Sequence, residues 1–345
     1  MNGSLLSNLL EPAVLFFALG LVAGAVRSNL EIPAPVTRFL SLYLLMAIGF
    51  KGGLALADGG LDAEGFALVV AAIGLAIAIP SWSFLLLRRR VPPLDAAAIA
   101  ATYGSVSAVT FIAATRFLTD RGDAVSGVMT VALVLMESPA IVMAVVLASW
   151  VRARQGATVA TAVGGELGPG AAIADDAAAP NTSVRAVLHE ALTDGAQLLL
   201  IGSLVIGAIS GDRGSAAMAP FVDSLFNGLL SFFLLDMGLL VARQLREARD
   251  LDRGLVLFGV LAPVVNALLA ISVARVIGTT TGNATMLAVL AASASYIVVP
   301  AVVRSAIPEA RPSRYFTLAL GVTFPFNLIA GIPLYAAIVE GWWGS

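Results

Sequence analysis

Residues 103–109 read YGSVSAV and residues 292–298 read ASASYIV. Each run interrupts an apolar segment with small, mostly hydroxyl-bearing residues and lacks the aliphatic bulk of its flanks. The runs lie 189 residues apart (292 minus 103), so Gly104 aligns with Ser293 and Val109 with Val298. Corresponding breaks in two halves of a membrane chain are the sequence mark of discontinuous helices that meet at a binding site. The pattern predicts two interrupted membrane helices whose breaks form one anion site.

Composition agrees with that reading. Of 345 residues, 59% are hydrophobic and 12% charged, with mean hydropathy +0.94. Soluble domains carry about 25% charged residues, so the chain reads as an all-α polytopic membrane protein. Cysteine is absent, which excludes disulfides and thiolate metal sites. The N-terminal run MNGSLLSNLLEPAVLFF has no basic region, so its apolar part is expected to be the first span, not a cleaved signal.

A span needs about 20 apolar residues. The pattern places ten, at about 12–27, 36–57, 65–87, 95–118 (broken), 124–150, 186–210, 217–242, 254–277, 284–306 (broken) and 314–339. Residues 1–150 make a first five-helix repeat and 185–345 a second. Residues 151–184, rich in Ala, Gly, Thr and Pro and without aromatics, read as a flexible linker. At the 189-residue offset Gly49 falls on Gly238, and Glu137 falls on Phe326 beside Asn327. Five spans per repeat is an odd number, so the second repeat enters the membrane upside down: a 5+5 inverted repeat in which spans 4 and 9 cross at their breaks.

Arginine sets the orientation. With the N-terminus outside, the inner side collects Arg27, Arg38, Arg88, Arg89, Arg90, Arg152, Arg154, Arg185, Arg243, Arg246, Arg249, Arg253, Arg304, Arg311 and Arg314. The outer side holds Arg116, Arg121, Arg213 and Arg275. Both termini are expected outside and the 151–184 linker in the cytoplasm. Trp342 and Trp343 suit an outer aromatic belt. His189, the only histidine, sits where the linker meets span 6 and reads as a solvated loop-end residue.

In this orientation the second halves of spans 4 and 9 begin at the midplane and run to opposite faces. Two helix N-termini then face one spot, each with unpaired N–H groups and partial positive charge. The dipole of one end contributes at most ~2 kcal/mol. N–H bonds to a charged acceptor, at about 1.5–3 kcal/mol each, carry more. The candidate substrate residues are Gly104, Ser105, Val106, Ser107, Ser293, Ala294, Ser295 and Tyr296. No Lys or Arg lies near either break, which favours a small oxyanion held by amides and hydroxyls. The competing reading is that Gly and Ser only let helices approach closely.

The other ends of the breaks, near Thr102 and Ala292, are expected to leave free carbonyls at the same depth, suited to Na+. Candidate cation ligands are Thr102, Thr110, Glu137, Ser138, Asn266, Thr323 and Asn327. Glu137 is the most informative, since a mid-membrane carboxyl is costly and functional by default; a structural carboxyl beside Pro139 is the alternative. Asn327 suits a cation ligand or an interhelical hydrogen bond. Lys51 and Asp236 lie near opposite ends of spans 2 and 7, where snorkelling or a gate role accounts for them.

The runs AIGFKGG (47–53), YGSVSAVTF (103–111), MESPA (136–140), FLLDMG (233–238) and ASASYIVVPA (292–301) resemble the SbtA-type sodium-dependent bicarbonate transporters. The resemblance covers both membrane halves and implies Na+-coupled HCO3− uptake across a bacterial inner membrane. It further implies a homotrimer, a gate domain of spans 1, 2, 6 and 7, and a moving core of spans 3–5 and 8–10. Substrate would sit at the crossing, here Gly104–Ser107 and Ser293–Tyr296, and a cytoplasmic PII-like protein would be the regulator. The rival readings are Na+-coupled symport of another small carboxylate or inorganic anion, and a non-transporting signalling scaffold. An enzyme is disfavoured, since one loop His and no Cys leave no intramembrane catalytic group. No feature suggests nucleic-acid binding.

Overall fold

Prolines and short polar caps fix where the helices begin. Pro12, Pro35, Pro93 and Pro312 stand in first turns, where a missing N–H costs nothing. Asp62, Asp252 and Thr280 accept first-turn amides. The computed structural model describes residues 11–163, 195–248, 251–296 and 298–344. Its helices are α1 (Pro12–Ala25), α2 (Ala34–Gly59), α3 (Ala63–Leu87), α4 (Pro93–Gly104), α5 (Ala108–Asp120) and α6 (Val128–Val163). There follow α7 (Gly195–Ala219), α8 (Phe226–Glu247), α9 (Arg253–Ile277), α10 (Thr281–Ala292), α11 (Val298–Ala306) and α12 (Pro312–Trp343).

Among the described residues seven helical stretches are long and apolar enough to cross a membrane, and α1 and α10 are shorter apolar helices. The chain is a multi-pass membrane protein, all-helical among the described residues. One stretch, Gly195–Arg246, has 52 residues. At 1.5 Å per residue that is about 78 Å, far beyond the roughly 30 Å hydrocarbon core, so it cannot be a single crossing. Gly211, at φ 55° and ψ −158°, breaks it, and a π-helical turn follows at Pro220–Ser224. In α12, π-helical stretches at Thr317–Thr323 and Asn327–Gly331 flank Pro325, whose missing N–H disturbs the ladder.

The expected spans overlap these helices without sharing all their bounds: span 217–242 begins in the end of α7 and the π-helical turn, and α8 itself runs Phe226–Glu247. Helix α6 does not stop near residue 150; it continues to Val163. Polarity marked where the chain leaves the apolar layer, but no proline stops the helix there. The rest of the expected linker, with His189 and the start of span 6, lies outside the described residues.

Two helix pairs stand side by side, α1 with α8 and α2 with α7. Each pair meets through glycine. A Cβ on Gly238 would sit 2.9 Å from Gly20 Cα, and one on Gly49 would sit 2.9 Å from Ser203 Cβ. The aligned pair Gly49 and Gly238 therefore does the same job in two places. Helices α3 and α6 flank α4, while α9 packs on α10. The broken segment Pro93–Asp120 is 94% buried across its most apolar stretch, against 44% for Val128–Arg154. Every residue from Gly282 to Ala292 is buried as well. The Pro93–Asp120 segment and α10 thus lie at the centre of the described structure.

Candidate functional site

Both breaks are present where the sequence put them. Gly104 ends α4 and packs on Pro80 of α3, where a Cβ would come within 2.7 Å of the ring. Ser105 and Ser107 are extended (ψ 174° and 110°), and α5 starts at Ala108. In the second break Ser293 is extended (ψ 166°) and α11 starts at Val298. Small residues are required because the two breaks are stitched together. Ser295 N–H donates to Thr102 O at 2.9 Å, and Ser107 N–H donates to Ser293 Oγ at 3.0 Å.

Each later half-helix is capped by its own serine. Ser107 Oγ accepts the Thr110 amide at 3.2 Å, and Ser295 Oγ accepts the Val299 amide at 3.4 Å. The first amides of α5, those of Ala108 and Val109, make no hydrogen bond to a described residue, as expected for a helix start.

Val106, Ser107, Ala108, Val109, Ser295 and Tyr296 line one cavity of about 50 Å³. Glu137 of α6 lines it too, and Ser41 (α2), Gln197 (α7) and Phe233 (α8) close the facing wall. A water needs about 10–15 Å³ of such space, so an ion of a few heavy atoms fits. Among the described residues no Lys or Arg lines the cavity, and Glu137 is the one carboxyl side chain that does. Of the expected substrate residues, Val106, Ser107, Ser295 and Tyr296 meet here. Gly104, Ser105, Ser293 and Ala294 are buried behind the wall, Ser293 bridging the breaks and Ser105 with its hydroxyl unpartnered among the described residues.

The cation candidates do not converge on one point. Thr102 and Ala292 do not leave free carbonyls: Thr102 O takes the Ser295 amide and Ala292 O takes Asn327 Nδ2 at 2.8 Å. Crossing chains supply donors that an isolated helix end lacks, although a carbonyl keeps a second lone pair. Asn327 thereby ties α12 to α10, and its Oδ1 accepts from Tyr335 two turns further along α12. Thr323 bonds Tyr103 and Gly259 O. Asn266 Oδ1 accepts from Trp82 Nε1 at 3.1 Å, and its unpartnered buried end is Nδ2. Since Trp only donates, Nδ2 is the open end of Asn266 among the described residues, and Oδ1 keeps one lone pair beyond the Trp82 bond. Thr102 bonds back to Ala98 O, Thr110 is buried beside the cap, and Ser138 is half-buried next to Glu137.

Two wider spaces open elsewhere in the structure, one of them adjoining the cavity. One, about 830 Å³, is lined by Thr37, Arg38, Asp236 and Arg243 and shares Ser41, Ala196, Phe233 and Tyr296 with the cavity. The other, about 670 Å³, is lined by Lys51, Arg116, Asp123 and Asp223 and shares no residue with it. Lys51 and Asp236 have partners in these spaces: Lys51 pairs with Asp223 at 2.7 Å, and Asp236 accepts from Thr37 at 2.6 Å. Sequence reasoning missed Ser41 and Gln197. The signal available for Gln197 is an amide at the head of an apolar run.

Residues 12–340 match the family described as the Na+-dependent bicarbonate transporter superfamily. No curated protein matches the chain.

Proposed function

The chain belongs to the Na+-dependent bicarbonate transporter superfamily, a family of transporters and not of enzymes, and on that premise we propose that it imports HCO3− with Na+ by alternating access. The observation that carries this is the cavity onto which Ser107 and Ser295, the caps of two half-helices, both open. Its amide donors and hydroxyls suit a small oxyanion, and with no basic side chain among the described lining residues binding stays weak enough for release.

The architecture we propose is ten spans in a 5+5 inverted repeat: α1, α2, α3, α4–α5 and α6, then α7, α8, α9, α10–α11 and α12. The glycine-paired helices α1, α8, α2 and α7 form the gate, and α3–α6 with α9–α12 form the core that moves. Support comes from Gly49 and Gly238, which occupy equivalent contacts at the 189-residue offset. The Arg-rich faces put both termini outside and residues 151–184 in the cytoplasm of a bacterial inner membrane. The cavity adjoins the Arg38 and Arg243 vestibule, so this conformation is inward-facing. A homotrimer and a PII-like cytoplasmic regulator complete the proposal on the strength of the sequence resemblance.

Na+ is cargo here. Glu137 is the candidate that lines the cavity, and we take it as the group that draws Na+ there. The test is uptake of labelled bicarbonate into proteoliposomes with and without a Na+ gradient. Uptake should require Na+ and be abolished by Ser107→Leu or Ser295→Leu. Uptake that ignores Na+, or survives both substitutions, rejects the site.

A further inference from the structure

We infer that the ends of α3 and α6 form a binding site for the phosphodiester headgroup of an anionic phospholipid. This site is independent of the transport reading; it needs only that these two helices cross the membrane.

Helix α3 ends at Leu87, and Arg88 and Arg89 follow at once. The apolar stretch of α6 ends at Arg154, one turn after Trp150. These side chains and the buried Phe84 line a cavity of about 320 Å³, which shares no residue with the substrate cavity. The aromatic pair explains why the cations gather. Phe84 meets Trp150 edge-on at 5.6 Å. Trp150 in turn holds the guanidinium carbons of Arg154 and Arg88 at 3.9 and 5.7 Å from its ring centre. Arg88 and Arg154 are therefore at most about 10 Å apart, where like charges repel.

An anion relieves that repulsion, and the lining does not supply one. Among the described residues no carboxylate lines this cavity. Other arginines of the chain are matched: Arg152 pairs with Glu309, and Arg314 with Asp95. Arg88 and Arg89 enter none of the ion pairs of the described residues, which leaves their N–H forks for an outside acceptor. A phosphodiester has two free oxygens, and arginine is the side chain that grips two oxygens at once. A topology anchor accounts for arginines at this level, but not for the cavity they enclose.

Depth makes the phosphate a lipid's. Helix α3 has 25 residues, or about 37 Å, against a hydrocarbon core of roughly 30 Å, so its end stands at headgroup level. Leu85 and Leu86 on α3 and Val146 on α6 are exposed within two turns of the arginines. They offer acyl chains an apolar surface from which a free phosphate gains nothing. Basic pockets between membrane helices suit anionic headgroups, whereas a zwitterionic lipid brings its own cation to the arginines.

The test uses the full-length protein in neutral detergent. Its thermal unfolding midpoint should rise saturably with added phosphatidylglycerol, as for any ligand of the folded state. It should not move with phosphatidylcholine or with inorganic phosphate. Arg88→Gln combined with Arg89→Gln should raise the phosphatidylglycerol concentration for half the shift at least about tenfold. Arg275→Gln, in the last turn of α9 where one arginine stands over Trp343, should leave it unchanged. An equal rise with phosphatidylcholine overturns the inference, because the lipid effect is then indifferent to charge. A rise with inorganic phosphate overturns the lipid source and leaves a soluble-anion site. A double variant with the wild-type response places the lipid elsewhere and overturns it too. Should that variant not fold, salt decides on the wild type: the phosphatidylglycerol effect should fade toward about 1 M NaCl, where charges are screened within about 3 Å, and an effect indifferent to salt overturns the site.

Discussion

Asn283 Oδ1, in the first turn of α10, accepts the backbone N–H of Ser126 at 2.9 Å, in the loop just ahead of α6. Asp95 Oδ1, in the first turn of α4, accepts the Arg311 N–H at 2.7 Å, just ahead of α12. Each broken helix thus pins the turn before the last span of the other half. The spacings, 188 (283 minus 95) and 185 (311 minus 126), sit close to the offset between the breaks. This exchange supports the proposed inverted repeat independently of the glycine contacts.

The two anchors should differ in strength. Asp95 also binds Arg314 Nη1 at 2.7 Å, with side chains 4% and 25% exposed. Asp95→Ala strands that guanidinium, and breaking a buried pair costs about 3–5 kcal/mol; partial exposure of Arg314 favours the lower figure. Asn283→Ala removes a neutral bond of about 1 kcal/mol. Thermal unfolding in detergent should rank Asp95→Ala well below Asn283→Ala. Equal midpoints would mean that Arg314 finds another partner.

Glycine substitution separates contact from lipid exposure. A Cβ on Gly238 would overlap Phe17 O and the Gly20 backbone, whereas one on Gly74 meets nothing within 4 Å. Gly238→Ala should destabilise by about 1–3 kcal/mol through overpacking. Gly74→Ala should be neutral or stabilise by up to about 1 kcal/mol. A tolerated Gly238→Ala would show that α1 and α8 can part without loss.

The breaks were legible because Gly104, Ser105, Ser107, Ser293 and Ser295 depart from the aliphatic bulk around them, and helix ends track such departures. What they bond to was not legible. That Ser295 donates to Thr102 O depends on how two segments 189 residues apart cross, which no local pattern encodes. Asn266 was recognisable as a buried amide, but only Trp82 decides that its donor end stays open. Ser41 and Gln197 escaped notice because their spans are apolar on nearly every side, so nothing marked the face toward the cavity. The continuation of α6 to Val163 escaped because loss of hydrophobicity ends a membrane span without ending a helix.

Two carboxyls outside the spans should give stability opposite pH slopes. Glu11, ahead of α1, lies beside Asp120 and Arg116 of α5. Burial and then repulsion from Asp120 push its carboxyl above the usual 4.5, against the pull of Arg116. The folded state then binds more protons than the unfolded chain just above pH 4.5, so this contribution falls as pH rises through that window. Glu309 is held below 4.5 by its hydrogen bonds from Arg152. Its contribution is complete above 4.5 and disappears as pH falls through the lowered value. Unfolding midpoints against pH should show Glu11→Gln flattening the decline on the alkaline side of 4.5. Glu309→Gln should flatten the loss on the acid side. A profile unchanged by Glu11→Gln would mean that the Asp120 contact does not control its titration.

The unequal vestibules predict which side reaches the ion. The chain has no native cysteine, so single cysteines report without background. Leu42 lines the larger vestibule, which shares Ser41 and Tyr296 with the cavity, and Ile48 lines the one that shares nothing. Leu42→Cys should react with an impermeant thiol reagent applied from the cytoplasmic side, and Na+ with bicarbonate should slow that reaction. Ile48→Cys should react from outside at a rate indifferent to both. Labelling of Leu42→Cys from the outer face would invert the proposed orientation. Protection of Ile48→Cys in place of Leu42→Cys would mean that the ion path opens through the Lys51 and Asp223 vestibule.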